Sequence, residues 1–160
     1  MSLSASVRRR LEMQGFVCRD DPEFEKLTSW FRLTPALCTG VIVAGTGLAS
    51  PAILLGLAPI AALGALLPVH PFDLLYNFGL RHVVGTGPLP RNGAPRRFAC
   101  GVVALWLAAT GYAFVAGAVA LGYALGALLT LAAGTVAVSH FCVASWMYQG
   151  LFARRVATRA

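Results

Sequence analysis

LTPALCTGVIVAGTGLASPAILLGLAPIAALGALLPVHPF, residues 33–72, carries no charged side chain. Neither does FACGVVALWLAATGYAFVAGAVALGYALGALLTLAAGTVAVSHFCVASWMYQGLFA, residues 98–153. One membrane-spanning helix takes about 20 apolar residues, and each block is long enough for two. The reading is an all-α, four-transmembrane-helix bundle. Composition agrees: 58% of the 160 residues are hydrophobic and 12% are charged, against about 25% charged in soluble domains. The mean hydropathy is +0.71, more apolar surface than a soluble chain of this size could bury.

Cap-then-proline signals divide the chain. Asp21-Pro22-Glu23 starts a helix: the aspartate caps, the proline suits the first turn, and Glu23 and Glu25 complement the dipole. Residues 1–34 are therefore read as a basic arm followed by a surface helix. In the arm, Leu3, Val7 and Leu11 share one helical face, which allows a short interfacial helix. Thr34-Pro35 starts the first span, residues 35–49, and Ser50-Pro51 the second, residues 51–69. Residues 70–97 hold an amphipathic surface helix, Pro71 to Val84, and a proline-rich loop. The third span is residues 98–116 and the fourth residues 119–152, with a tail at 153–160. Trp30, Trp146, Tyr148, Arg96, Arg97, Arg154 and Arg155 are the expected interfacial anchors.

Charge placement sets the orientation. All 13 Lys and Arg residues fall in the arm, the central segment and the tail. The turns near Ser50 and Gly117 have none. Both termini and the amphipathic surface helices are expected in the cytoplasm. Arg8 to Arg10 lead into a polar, acidic stretch, so no cleavable signal is expected. Basic residues grouped near the membrane suit anionic lipid better than nucleic acid.

Few residues could carry chemistry. His140 and Cys142 lie in the fourth span, where an ionisable side chain points to function. A neutral imidazole there could ligate haem or a chlorophyll-type pigment, meet a quinone or relay a proton. The alternative is a histidine hydrogen-bonded to a neighbouring helix. His70, ahead of Asp73, falls toward the same end as His140, so the two could form a bis-histidine haem site. Cys38, Cys100 and Cys142 also gather at that end, beside Cys18 in the arm, without Cys-x-x-Cys spacing; small apolar packing is their expected role. No metal site, phosphate loop or nucleophile elbow is present.

His70-Pro71-Phe72-Asp73, Pro95-Arg96-Arg97-Phe98-Ala99 and His140-Phe141-Cys142 resemble a bacterial family of four-helix membrane proteins, defined only as a domain of unknown function. The resemblance covers about residues 20–152. Members often end the fourth helix with Phe-Cys-x-x-Cys. Cys142 matches the first cysteine and Ser145 stands at the second, which weakens any dithiol role. The resemblance implies a bacterial cytoplasmic (inner) membrane and brings no activity with it.

The expected function is a non-catalytic accessory or interaction subunit of a larger membrane complex or oligomer, its partners being lipid, other membrane subunits or further copies of itself. A redox or cofactor protein using His140 and Cys142, with His70, is the alternative. A small-solute transporter built by oligomerisation is the third.

Overall fold

The apolar blocks break into helices at glycine, proline and one histidine. The computed structural model describes residues 4–18 and 21–153, and every regular element among them is helical. Ser4 caps α1 (Ala5–Met13) by accepting from the Val7 amide at 3.4 Å. Asp21 caps α2 (Pro22–Trp30), accepting from the Phe24 amide at 2.5 Å. There follow α3 (Leu33–Gly47), α4 (Pro51–Leu66), α5 (Pro71–Leu75), a π-helical turn (Tyr76–Leu80) and α6 (Arg81–Val84). The chain ends with α7 (Ala94–Val115), α8 (Val119–Ser139), α9 (Val143–Tyr148) and a second π-helical turn (Gln149–Ala153).

Three of these stretches are long and apolar enough to cross a membrane: Pro22–Gly47, Ala94–Val115 and Val119–Ser139. At 1.5 Å per residue, α7 and α8 reach about 30 Å, the depth of a hydrocarbon core. The 16-residue α4 is shorter. It bends by 83° into the run Pro71–Val84, and counting that bent pair as one span gives four.

Two predicted boundaries move. The surface helix and the first span are separate in the sequence reading. Here Phe31 and Arg32 stay right-handed helical, and α2 and α3 form one 26-residue run. Thr34 does not cap the start of α3, because its hydroxyl is drawn to Asp73 instead. The fourth span is predicted to be unbroken from 119 to 152. It stops at Ser139, where His140 turns left-handed (φ 58°), and resumes at Val143. Neither proline nor glycine marks that break. It is made by contacts from the far end of the chain, described below.

Two apolar cores result. The bundle core is Ile42, Leu54, Leu57, Ala61, Ala104, Leu107, Phe114 and Leu129. Helix α4 packs chiefly on α7, and α3 on α8. The last pair approaches closely because Gly126 has no side chain: a Cβ there would collide with Thr46. The second core is a cap at one end of the bundle, made of Leu11, Phe16, Phe24, Leu27, Phe31, Tyr76 and Leu89. Its Phe16 and Phe31 rings stack at 4.6 Å. The arm is thus a folded part of the cap. Its exit from α1 passes through Gly15 (φ 89°), which lies against Gly93 so closely that a Cβ on Gly93 would stand 2.7 Å from the Gly15 carbonyl oxygen.

Candidate functional site

The seam between cap and bundle gathers the buried polar residues. A helix that ends leaves carbonyl groups without partners. At the end of α8 the cap supplies them. Arg10 Nη1 donates to the Ser139 carbonyl at 2.7 Å, and Gln14 Nε2 donates to the His140 carbonyl at 2.6 Å. In return, Gln149 Nε2 donates to the Met13 carbonyl at 3.2 Å.

The His140 ring is engaged as well. Arg32 Nε donates to His140 Nε2 at 2.9 Å, so a neutral ring carries its proton on Nδ1. Burial first, then the positive charges of Arg32, Arg10 and Arg96, lower its pKa to about 4. The imidazole is neutral at physiological pH, and its acceptor nitrogen is already taken.

A second cluster sits beside it. Arg96 and Asp73 form a buried ion pair at 3.5 Å. The Thr34 hydroxyl donates to Asp73 Oδ1 at 2.5 Å, and the Arg96 guanidinium lies 5.1 Å from the centre of the Phe16 ring. The pair cancels in charge. Arg96, expected at the membrane interface, is instead buried because Asp73 and Phe16 receive it.

His70 completes the group. Only 1% of it is exposed. Its Nδ1 accepts from the Phe72 amide at 3.2 Å, which caps α5. The ring occupies the space that a Cβ on Gly64 would fill. Its Nε2 has no hydrogen-bond partner among the described residues.

These elements border a partly open cavity of about 100 Å³ lined by Gln14, Cys38, His70, Arg96, Cys100 and Cys142 among others. The thiols come from α3, α7 and the segment after α8. None is in a disulfide. Gln14, Thr34 and Arg96 at the wall make hydrogen bonds or an ion pair elsewhere, and the surface facing the space is almost entirely apolar.

Size decides what fits. A cavity of about 150 Å³ encloses one benzene ring. A haem or chlorophyll-type macrocycle does not fit wholly within this space, which is open on one side. A bis-histidine site would also require His140 to give up Arg32. Among the described residues, no three His, Cys, Asp or Glu side chains are placed to hold a metal ion.

The cavity brings together Cys142 and His70 from the sequence reading, with His140 held just outside it. Gln14 and Thr34 escaped that reading as site residues, Asp73 entered it only as a carboxylate near His70, and Arg96 only as an interfacial anchor. Their partners lie tens of residues away, and no local spacing signals them. Of the expected anchors, Trp146 is exposed, while Tyr148 packs on Phe98 at 5.5 Å and Trp30 leans on Tyr76 at 5.0 Å. Arg97 binds the last carbonyls of α4. Arg154 and Arg155 lie outside the described residues. Ser145 is fully buried and donates to the Pro95 carbonyl at 3.3 Å, tying α9 to the start of α7.

Three helical stretches, or four with the bent pair, long and apolar enough to cross a membrane mark a multi-pass membrane protein. The chain belongs to the family described as a domain of unknown function (DUF4395), which matches residues 28–153. No curated protein and no solved structure matches it.

Proposed function

We propose that this is a four-span, non-catalytic protein of the bacterial cytoplasmic membrane that holds a small uncharged molecule between its cytoplasmic cap and its bundle. The observation that carries this reading is the cavity. Three thiols outside any disulfide and His70 line it, while the charged groups around it are spent on one another. A neutral, polarisable ligand of a few heavy atoms suits such a wall. An ion would lose its hydration and gain little, because Arg96 is already balanced by Asp73. Asp73, Arg96 and His140 are all engaged, which leaves His70 and the thiols as the groups open to chemistry there.

The topology has separate support. The described basic residues cluster on the cap side, which supports a cytoplasmic cap under the positive-inside rule. Helix α4 is the fourth pass in this reading, and its continuation turns away by 83° at the membrane surface. On that continuation Leu75, Phe78 and Val83 are exposed, as suits a helix lying in the headgroup region.

Thiol labelling in membranes tests the cavity. Methyl methanethiosulfonate leaves an adduct small enough for it and is expected to modify Cys142 in the folded protein. Fluorescein maleimide is too large and should do so only after denaturation. Equal modification by both reagents, or by neither until denaturation, would refute an accessible site of this size.

An accessory-subunit role is the second reading. Gly40 on α3 and Gly56 on α4 have nothing within 4 Å of a notional Cβ, which leaves room for close approach of a partner helix. Co-extraction with stoichiometric membrane partners in mild detergent would support it, and recovery as a lone monomer would count against it.

A further inference from the structure

The outer surface of the α4–α7 pair carries a second, distinct feature. A groove of about 640 Å³ runs along it, open on one side. Small residues make its floor, Ala62 and Ala65 on α4 and Gly101 and Ala104 on α7, and Leu66, Phe98 and Leu105 stand along it. A Cβ on Gly101 would only just touch that of Ala65, at 3.6 Å, so the floor is low there without being pinched.

One end of the groove is marked by Arg97. Its Nε donates to the Ala65 carbonyl at 2.9 Å and its Nη2 to the Leu66 carbonyl at 2.7 Å. These two bonds use one edge of the guanidinium and fix its plane. Both Nη1 hydrogens and the second on Nη2 are left over. No carboxylate pairs with Arg97 among the described residues. The site therefore presents a positioned cation with a free two-pronged edge at the head of an apolar channel.

We propose that this groove binds one anionic phospholipid, its phosphate on Arg97 and one acyl chain laid along the floor. The inference goes beyond the cavity and rests on α4 and α7 spanning the bilayer. A guanidinium edge matches phosphate oxygens in pairs, and basic pockets between spanning helices suit anionic headgroups. From Arg97 to Leu105 the groove is about 12 Å long at the helical rise per residue. A valley between adjacent helices accepts a single hydrocarbon chain, whereas a partner helix is about 10 Å across. A helix seated there would also have to bring a carboxylate to Arg97.

Native mass spectrometry of the detergent-solubilised full chain, reconstituted beforehand with equal phosphatidylglycerol and phosphatidylcholine, tests it. The expected result is one retained phosphatidylglycerol, favoured at least tenfold. Arg97→Gln should abolish the preference, and Gly101→Leu should lose the lipid while leaving Arg97 in place. Because Arg97 also closes the end of α4, Arg97→Lys is the control: charge and fold persist, and preference weakens without vanishing. Equal retention of both lipids by the wild type, unchanged preference in Arg97→Gln, or a polypeptide crosslinked at position 101 in place of lipid would overturn the proposal. Thiol labelling at Cys142 is independent of all three outcomes, so failure of the groove and failure of the cavity are distinguishable.

Discussion

Removing the charge of Asp73 should be among the most damaging single changes in this chain, and the damage should be largely repaired by removing Arg96 as well. The two side chains are 4% and 10% exposed and lie 3.5 Å apart. At an effective dielectric constant near 20, charges at that separation attract by about 5 kcal/mol before desolvation is counted. The net value of the pair is far smaller, since both ions were taken out of water. The single variants reveal the difference. Asp73→Asn keeps an acceptor for Thr34 but strands the guanidinium, at a cost of about 3–5 kcal/mol. Asp73→Ala also leaves the Thr34 hydroxyl without an acceptor and should cost about 1 kcal/mol more. Arg96→Met strands the carboxylate and loses the contact with Phe16, with a similar total. The double variant Asp73→Asn/Arg96→Met buries no net charge and should recover most of the loss. Reversible unfolding in mixed micelles, with the four proteins compared as a double-mutant cycle, gives the coupling directly. A coupling below about 1 kcal/mol, with the single costs simply adding, would refute the view that the two charges are held there by each other.

Three further outcomes follow from the same geometry. His140 has its pKa lowered to about 4, so between that value and its ordinary 6.5 the unfolded chain binds a proton that the folded chain refuses. Stability should fall as pH drops from 6.5, by up to about 1.4 kcal/mol per unit for this group, and His140→Asn, which tolerates the left-handed backbone, should make the fall in melting temperature between pH 6.5 and 5 shallower, leaving the part due to His70, whose burial lowers its pKa in the same sense. Gly64→Ala places a methyl group where the His70 ring sits; it should cost about 1–3 kcal/mol and change the labelling rate of Cys142, and an unchanged rate would separate His70 from the cavity. Gly93→Ala pushes against the Gly15 backbone and should make the chain near Gly15 a preferred cleavage site in limited proteolysis, with the bundle left intact.

Helices of spanning length were legible because they depend on composition and on caps that act within one turn. Asp21-Pro22 and Ser50-Pro51 start helices where they stand. Thr34-Pro35 has the same form and misleads, because the Asp73 carboxylate, 39 residues away, takes the hydroxyl. The break at His140 is invisible for the same reason: Arg10 and Gln14 accept the cost of ending α8 by binding its carbonyls. The site was half visible. Topology placed Cys38, Cys100 and Cys142 at one end, and His70 and His140 stood out as histidines among apolar residues. Which of the two would face the cavity depended on helix rotation and on the notch at Gly64, neither of which an all-round apolar pattern specifies. Arg96 and Arg97 are adjacent and look alike in sequence, yet one is buried against Asp73 and the other lies at the groove mouth.

The clamp between α1 and the end of α8 has a consequence for biosynthesis. Arg10 and Gln14 wait for carbonyls 129 and 126 residues downstream, and Met13 for an amide 136 residues away. At 5–20 residues per second the ribosome takes roughly 6–27 s to make that stretch. Through that interval α1 has none of these closing bonds. Chains that stall before residue 139, or fail to insert α8, keep α1 undocked and open to quality-control proteases, so closure of the clamp becomes the molecule's own record that α8 has been made and placed.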